Sequence, residues 1–164
     1  TRFYLNSKTL KMNKEKTIDV LNTLIGINND RIERYETACK ETEEKDLIIL
    51  FDQFIQTSKM CKAELVSKVQ LLDGKLIEET KKPNKFFQIL ADVKAAFIGK
   101  DRITILYSCE DAEGVVVNVY SEALNNNTED LPVELQVMLN AHIVLIKADL
   151  DKVKYLLDTL YEHK

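Results

Sequence analysis

The sequence predicts an all-α protein, an antiparallel four-helix bundle with a short helix inside the long connection between its second and third helices. Three observations carry this. There are 4 glycines and 2 prolines in 164 residues, so little breaks a helix once it starts. Apolar side chains recur at steps of three and four through four long stretches. The connections between these stretches are short at 42–45 and 125–130 and long at 73–100, which suits two helical hairpins joined by a segment that travels the length of a bundle.

The first helix is expected over 17–40, with Ile18, Leu21, Ile25, Asn28, Ile32, Tyr35 and Cys39 along one seam. Met12 reads as a natural start, which sets 1–11 apart as an N-terminal extension outside a single 12–164 domain. The second helix is expected over 45–72, its seam running through Leu47, Leu50, Phe54, Thr57, Cys61, Glu64, Lys68 and Leu71, with Gly74 as C-terminal cap. In the long connection, Lys81, Lys82 and Pro83 end a linker, Asn84 caps a short helix over 84–98, and Gly99 closes it. Asp101 is the natural N-cap of the third helix, whose seam Ile103, Leu106, Glu110, Glu113, Val117, Tyr120 and Leu124 holds two carboxylates at its centre. Three asparagines at 125–127 mark a turn, and Thr128 or Asp130 caps the fourth helix with Pro132 in its first turn. That helix carries the stripe Leu135, Leu139, His142, Ile146, Asp149, Val153, Leu156 and Leu160.

Composition excludes several classes of function. A net charge of −4 gives no basic surface for nucleic acid or an anionic membrane. Membrane-length apolar runs and a signal-peptide core are absent from the sequence, and three unpaired, widely spaced cysteines (Cys39, Cys61, Cys109) read as reduced thiols, so a cytoplasmic location is expected. The sequence contains no phosphate-binding glycine loop, nucleophile elbow or HExxH pair.

What remains is the polar centre. Carboxylates on a buried stripe cost several kcal/mol each unless a cation, a proton or a metal answers them. Glu64, Glu110, Glu113, His142 and Asp149 lie near mid-helix on three seams, with Asn28 on the fourth. Oxygen and imidazole ligands converging inside a bundle suit iron or manganese. The di-iron pattern of Glu on two helices and Glu-x-x-His on two others is not met, because Ser67 follows Glu64 and Leu139 precedes His142 at the required spacing. The structural alternative pairs Glu110 and Glu113 with Lys68 or Tyr35 or with each other through a proton, and reads His142 as a satisfied core histidine and Asn28 as a register-setting polar residue.

The order of motifs resembles an uncharacterised bacterial ferritin-like four-helix-bundle family, a domain of unknown function typified by a pseudomonad hypothetical protein. The resemblance rests on VLNTLIGINND at the start with Tyr35 and Ala38 behind it, on Ala63-Glu64-Leu65 before Gly74, and on DVKAAFIGKD at 92–101. Its most specific part is CEDAEG at 109–114, followed by Tyr120 and by Leu131-Pro132. It implies a ferritin-like fold and, were iron bound, oxidation of Fe(II) by oxygen with carboxylate ligands and a nearby tyrosine. Two departures weaken a histidine-bearing site: Phe87, Gln88, Ile89 and Leu90 stand where the family has His-Arg-Gly-Trp, and Leu150 stands where it has a second histidine.

The leading expectation is thus a small ferritin-like protein that binds iron or manganese weakly or vestigially through Glu64, Glu110 and Glu113, with help from His142 or Asp149. A non-enzymatic bundle that oligomerises or binds a partner, its core carboxylates structural, is the alternative, and a carrier of a small apolar ligand is a third reading. The runs 47–51, 115–117 and 143–146 are apolar on more than one face, and a second subunit, making a dimer, would cover one of them.

Overall fold

The computed structural model describes residues 2–77 and 101–162, with side chains at 13–77 and 101–162. Four helices account for nearly all of it: α1 (Arg2–Glu41), α2 (Lys45–Leu71), α3 (Arg102–Asn126) and α4 (Val133–Glu162). The short helix expected over 84–98 lies outside the described residues. α1 starts well before the expected residue 17. No glycine or proline stands between Arg2 and Thr17 to stop it.

α1 packs chiefly on α2 and α3 chiefly on α4, each pair joined by a tight connection. In the first connection Glu44 N–H bonds Thr42 Oγ1 at 3.2 Å. The relative direction of the two hairpins follows from cross-helix bonds. Arg102, at the start of α3, forms ion pairs with Glu44 and Asp46 at the start of α2, so these two helices run parallel. Asn28 bonds Tyr120 and Arg31 bonds Glu113, so α1 and α3 run antiparallel. The chain therefore leaves one end of the bundle at Leu71 and re-enters it at the other, which is the up-down-down-up order that the long connection predicted.

Helix ends are closed by local chemistry. Asp101 accepts a bond from Thr104 N–H, capping α3 as expected. Thr128 is used differently from expectation: its hydroxyl bonds the Leu124 carbonyl at the end of α3, and α4 instead starts from Pro132, whose carbonyl accepts from Leu135 and Gln136. At the end of α2, Gly74 N–H bonds Val69 O and Asp73 N–H bonds Gln70 O, a Schellman closure. The left-handed residue in it is Asp73 (φ 54°), not the expected Gly74. Gly74 is needed for a different reason: a Cβ there would lie 2.9 Å from a methyl of Ile18. Beyond it, Asn22 holds the chain against α1, donating to Lys75 O and accepting from Ile77 N–H.

The core falls into two apolar blocks. One gathers Leu21, Leu24, Ile25, Leu65, Val116, Leu139 and Ile146 with their neighbours. The other gathers Tyr35, Leu47, Phe51, Phe54, Leu106 and Val153 with theirs. Tyr35 stacks on Phe51 at 5.3 Å and meets Phe54 edge-on at 5.0 Å. Between the blocks lies a polar layer.

Gly114 sits inside α3 with nothing within 4 Å of where a Cβ would project. Gly114→Ala is expected to raise the unfolding free energy by about 1 kcal/mol, since it removes unfolded-chain entropy without a clash. Urea denaturation of the two proteins checks it.

Candidate functional site

Three of the four seams depart from the sequence expectation at individual positions, where a neighbouring residue is buried instead. On α3 the buried run is Leu106, Cys109, Glu113, Val116 and Tyr120. It shares Leu106, Glu113 and Tyr120 with the expected seam, but steps three-then-four instead of four-then-three. Glu110 consequently lies half-buried on the flank. On α2, Ser58 and Leu65 are buried where Thr57 and Glu64 were expected. On α1, Arg31 is buried where Ile32 was expected. The stripe of α4 is as expected through Val153 and then passes to Leu157.

Arg31 is the residue that the sequence reading missed, and it organises the polar layer. Its side chain is 0% exposed. Nε donates to both Glu113 oxygens at 3.0 Å, Nη2 to Asp149 Oδ2 at 2.9 Å, and Nη1 to Ser58 Oγ at 2.8 Å and to the Phe54 carbonyl at 3.0 Å. All four helices thus meet on one guanidinium. Burial alone would ease the proton off Arg31, but Glu113, Tyr35 and Asp149 outweigh it and the pKa stands above its already high ordinary value. The phenyl ring of Phe54 lies 5.3 Å from the guanidinium carbon, and that of Tyr35 5.7 Å.

Glu113 is held from two further directions. The Tyr35 hydroxyl donates to it, and Arg34 Nη1 stands 3.8 Å away. The Tyr35 hydroxyl is pushed well above its ordinary pKa by burial and by the Glu113 charge, which keeps it a donor. Asp149 receives a second cation at the rim, Lys152 Nζ at 3.3 Å. Glu113 and Asp149 are therefore each answered by two cations.

A second chain of bonds runs beside this one. Asn28 Nδ2 donates to Tyr120 Oη at 2.7 Å, Tyr120 Oη lies 3.3 Å from His142 Nδ1, and His142 Nε2 lies 2.7 Å from Glu64 Oε2. With Asn28 donating, the Tyr120 proton is free to point at Nδ1, which puts the imidazole proton on Nε2 facing Glu64. His142 is 1% exposed, whereas the Glu64 side chain is 52% exposed. Burial raises the pKa of Cys61, beside this chain, to about 11, so it stays a thiol.

The five expected ligands therefore separate. Glu113 and Asp149 face Arg31, His142 and Glu64 face each other, and Glu110 stands apart on the flank of α3. Among the described residues no three His, Cys, Asp or Glu side chains are grouped so as to hold a metal ion. The donor chemistry agrees with the geometry: a guanidinium bonded to Glu113 and Asp149 already supplies the positive charge that iron or manganese would bring, and it takes up the lone pairs that would ligate. The residues present do not fit the metal centre that the resemblance implied.

A signal for Arg31 was available. The alternative seam Leu21, Leu24, Asn28, Arg31, Tyr35 and Ala38 fits α1 as well as the one through Ile32. Two carboxylates expected in the core call for a cation, and Arg31 and Arg34 are the arginines at their level.

No helix among the described residues is long and apolar enough to cross a membrane. Neither a curated protein nor a solved structure matches the chain. A family model does, over residues 16–126, which covers α1 from Lys16, α2, the long connection and α3, and so includes Arg31, Tyr35, Glu64, Glu113 and Tyr120. With well over half of its length matched, the chain belongs to the family described as Domain of unknown function (DUF2383).

Proposed function

We propose that this chain is a non-enzymatic helical bundle that works by association, with its buried carboxylates structural. The observation that carries the reading is the Arg31 guanidinium between Glu113 and Asp149. With Glu113 and Asp149 both taken up by Arg31, the layer has no open ligand position at these carboxylates, and it then acts on specificity: it ties all four helices to the same point and so sets register and pairing. Other helix registers or pairings would strand a buried charge.

Outer surfaces remain as the place where such a bundle meets other molecules. The exposed sides of α2 and α4 carry Ile49, Met60, Val137, Val144 and Tyr155, each more than 40% exposed.

The test is a melting experiment. A ligand present at 100 times its dissociation constant stabilises a fold by about 2.7 kcal/mol. Anaerobic Fe(II) or Mn(II) at millimolar concentration is expected to leave the midpoint unchanged, with a chelator-treated sample as reference. A rise of several degrees that disappears in Asp149→Asn would sink the reading and restore the metal centre.

A further inference from the structure

The outward face of α4 is unlike that of an ordinary surface helix. Opposite its core stripe runs a second one, Val133, Val137, Ala141, Val144, Ala148 and Tyr155. Its four larger members are between 64% and 73% exposed. A helix with apolar stripes on two opposite sides is built to be covered on both. The neighbouring outward face of α2 adds Ile49, Gln53, Gln56, Met60, Ala63 and Ser67, none of them charged. A groove of about 460 Å³, lined by Ile49, Leu50, Ala148 and Tyr155 together with the charged Asp46, Asp151 and Lys152, joins the two faces at one end of the bundle.

We infer that this α2/α4 face is the interface for a second copy of the same chain, paired about a two-fold axis with the α4 helices antiparallel. The inference rests on the associative reading above and names its partner.

Three features select a second copy. The first is self-complementarity. From Val137 to Tyr155 the stripe positions Val137, Ala141, Val144, Ala148, Asp151 and Tyr155 are spaced 4, 3, 4, 3, 4, which reads the same in both directions. An antiparallel copy therefore sets Val144 against Ala148 and Val137 against Tyr155, larger side chains against smaller ones. It also places Asp151, the one charged member, opposite Ala141. A two-fold interface requires this match of a patch with itself.

The second feature is charge. The chain carries a net −4, and the outward sides of α1 and α3 show exposed acids, among them Glu15, Asp19, Asp111 and Glu122. Two copies meeting there would set like charges together, whereas the α2/α4 face carries both signs side by side, Asp46 and Asp151 with Lys152, and Glu64 and Glu134 with Lys68. The third is size. The stripe from Val133 to Tyr155 is about 33 Å long at 1.5 Å per residue. Across two adjacent helices, each about 10 Å wide, the face offers about 660 Å² per copy, near the ~800 Å² of a standard interface.

Sedimentation equilibrium of the full chain between 1 and 200 µM is expected to show a monomer–dimer equilibrium. Val144→Glu should raise its dissociation constant at least about 100-fold while leaving the helicity of the monomer in place, because Val144 points away from the core. Asn118→Glu, on the exposed side of α3, should leave it unchanged. A mixture of Val144→Cys and Ala148→Cys proteins should form a mixed disulfide faster than either alone. A monomer at every concentration, or a dimer that Val144→Glu does not weaken, overturns the inference. Those results leave the structural reading of the core untouched, since metal-dependent melting is what overturns that.

Discussion

Replacing Arg31 with methionine is expected to cost about 3–5 kcal/mol of stability, the penalty for leaving buried carboxylates without their cation. Glu113 would keep Tyr35 and the more distant Arg34, but Asp149 would keep only Lys152 at the rim. Ser58 Oγ and the Phe54 carbonyl would each lose a donor as well. Since a domain has only about 5–15 kcal/mol in all, the variant should be partly unfolded or nearly so. Because such a protein could fail to accumulate, the informative partner is the triple variant Arg31→Met/Glu113→Met/Asp149→Leu. Replacing buried ionic groups together with apolar groups of similar volume is often neutral or stabilising, so the triple variant should recover part of the loss, the remainder reflecting Arg34 and Tyr35 left without Glu113. Urea unfolding of the parent, single and triple variants measures both differences. A single-variant loss below about 1 kcal/mol would mean that Arg31 is not the group holding the layer together.

Asp30 should make the protein more stable in mild acid than at neutral pH. The residue is 7% exposed, its Oδ2 has no hydrogen-bond partner among the described residues, and burial lifts its pKa to about 6 against the pull of Arg34. Because the folded value lies above the unfolded one, folding takes up a proton between about pH 4 and 6. The stabilising share of this group is fully present below the unfolded pKa and is lost as the pH rises through about 6. Asp30→Asn should therefore be more stable than the parent at pH 7.5, by at most about 3 kcal/mol at 1.36 kcal/mol per pH unit, and nearly equal to it at pH 4. Denaturation midpoints at the two pH values settle the point, and an equal gain at both would remove titration as the cause.

How far the sequence can be read is clearest on α3. The 103–124 stretch was recognisable as a helix, its N-cap was Asp101, and a buried carboxylate at its centre was expected. Tyr35, one of the partners expected for it, does donate to Glu113, but the choice of seams left out the Arg31 cation. In this stretch Cys109 and Val116 fit a buried stripe as well as Glu110 and Val117 do, because apolar residues occupy more than one face. Exchanging Glu110 and Val117 for Cys109 and Val116 turns the stripe of α3 by about 40° at 100° per residue, enough to move Glu110 from core to flank, and the same kind of slip on α2 leaves Glu64 half-exposed. On α1 the same ambiguity hid Arg31 behind Ile32, and with it the charge that answers Glu113.

The sequence by itself determined the local and the statistical: four long helices, because breakers are few; their antiparallel hairpins, because two connections are short; and a polar layer at mid-bundle, because the apolar stripes are interrupted at one level. The tertiary structure alone decided which groups in that layer face one another. Helical periodicity leaves open which of two neighbouring positions a helix buries, and only simultaneous packing of four helices closes that choice. It closes where Arg31, Glu113, Asp149 and Ser58 can satisfy each other, since other rotations would leave charge buried and unpaired.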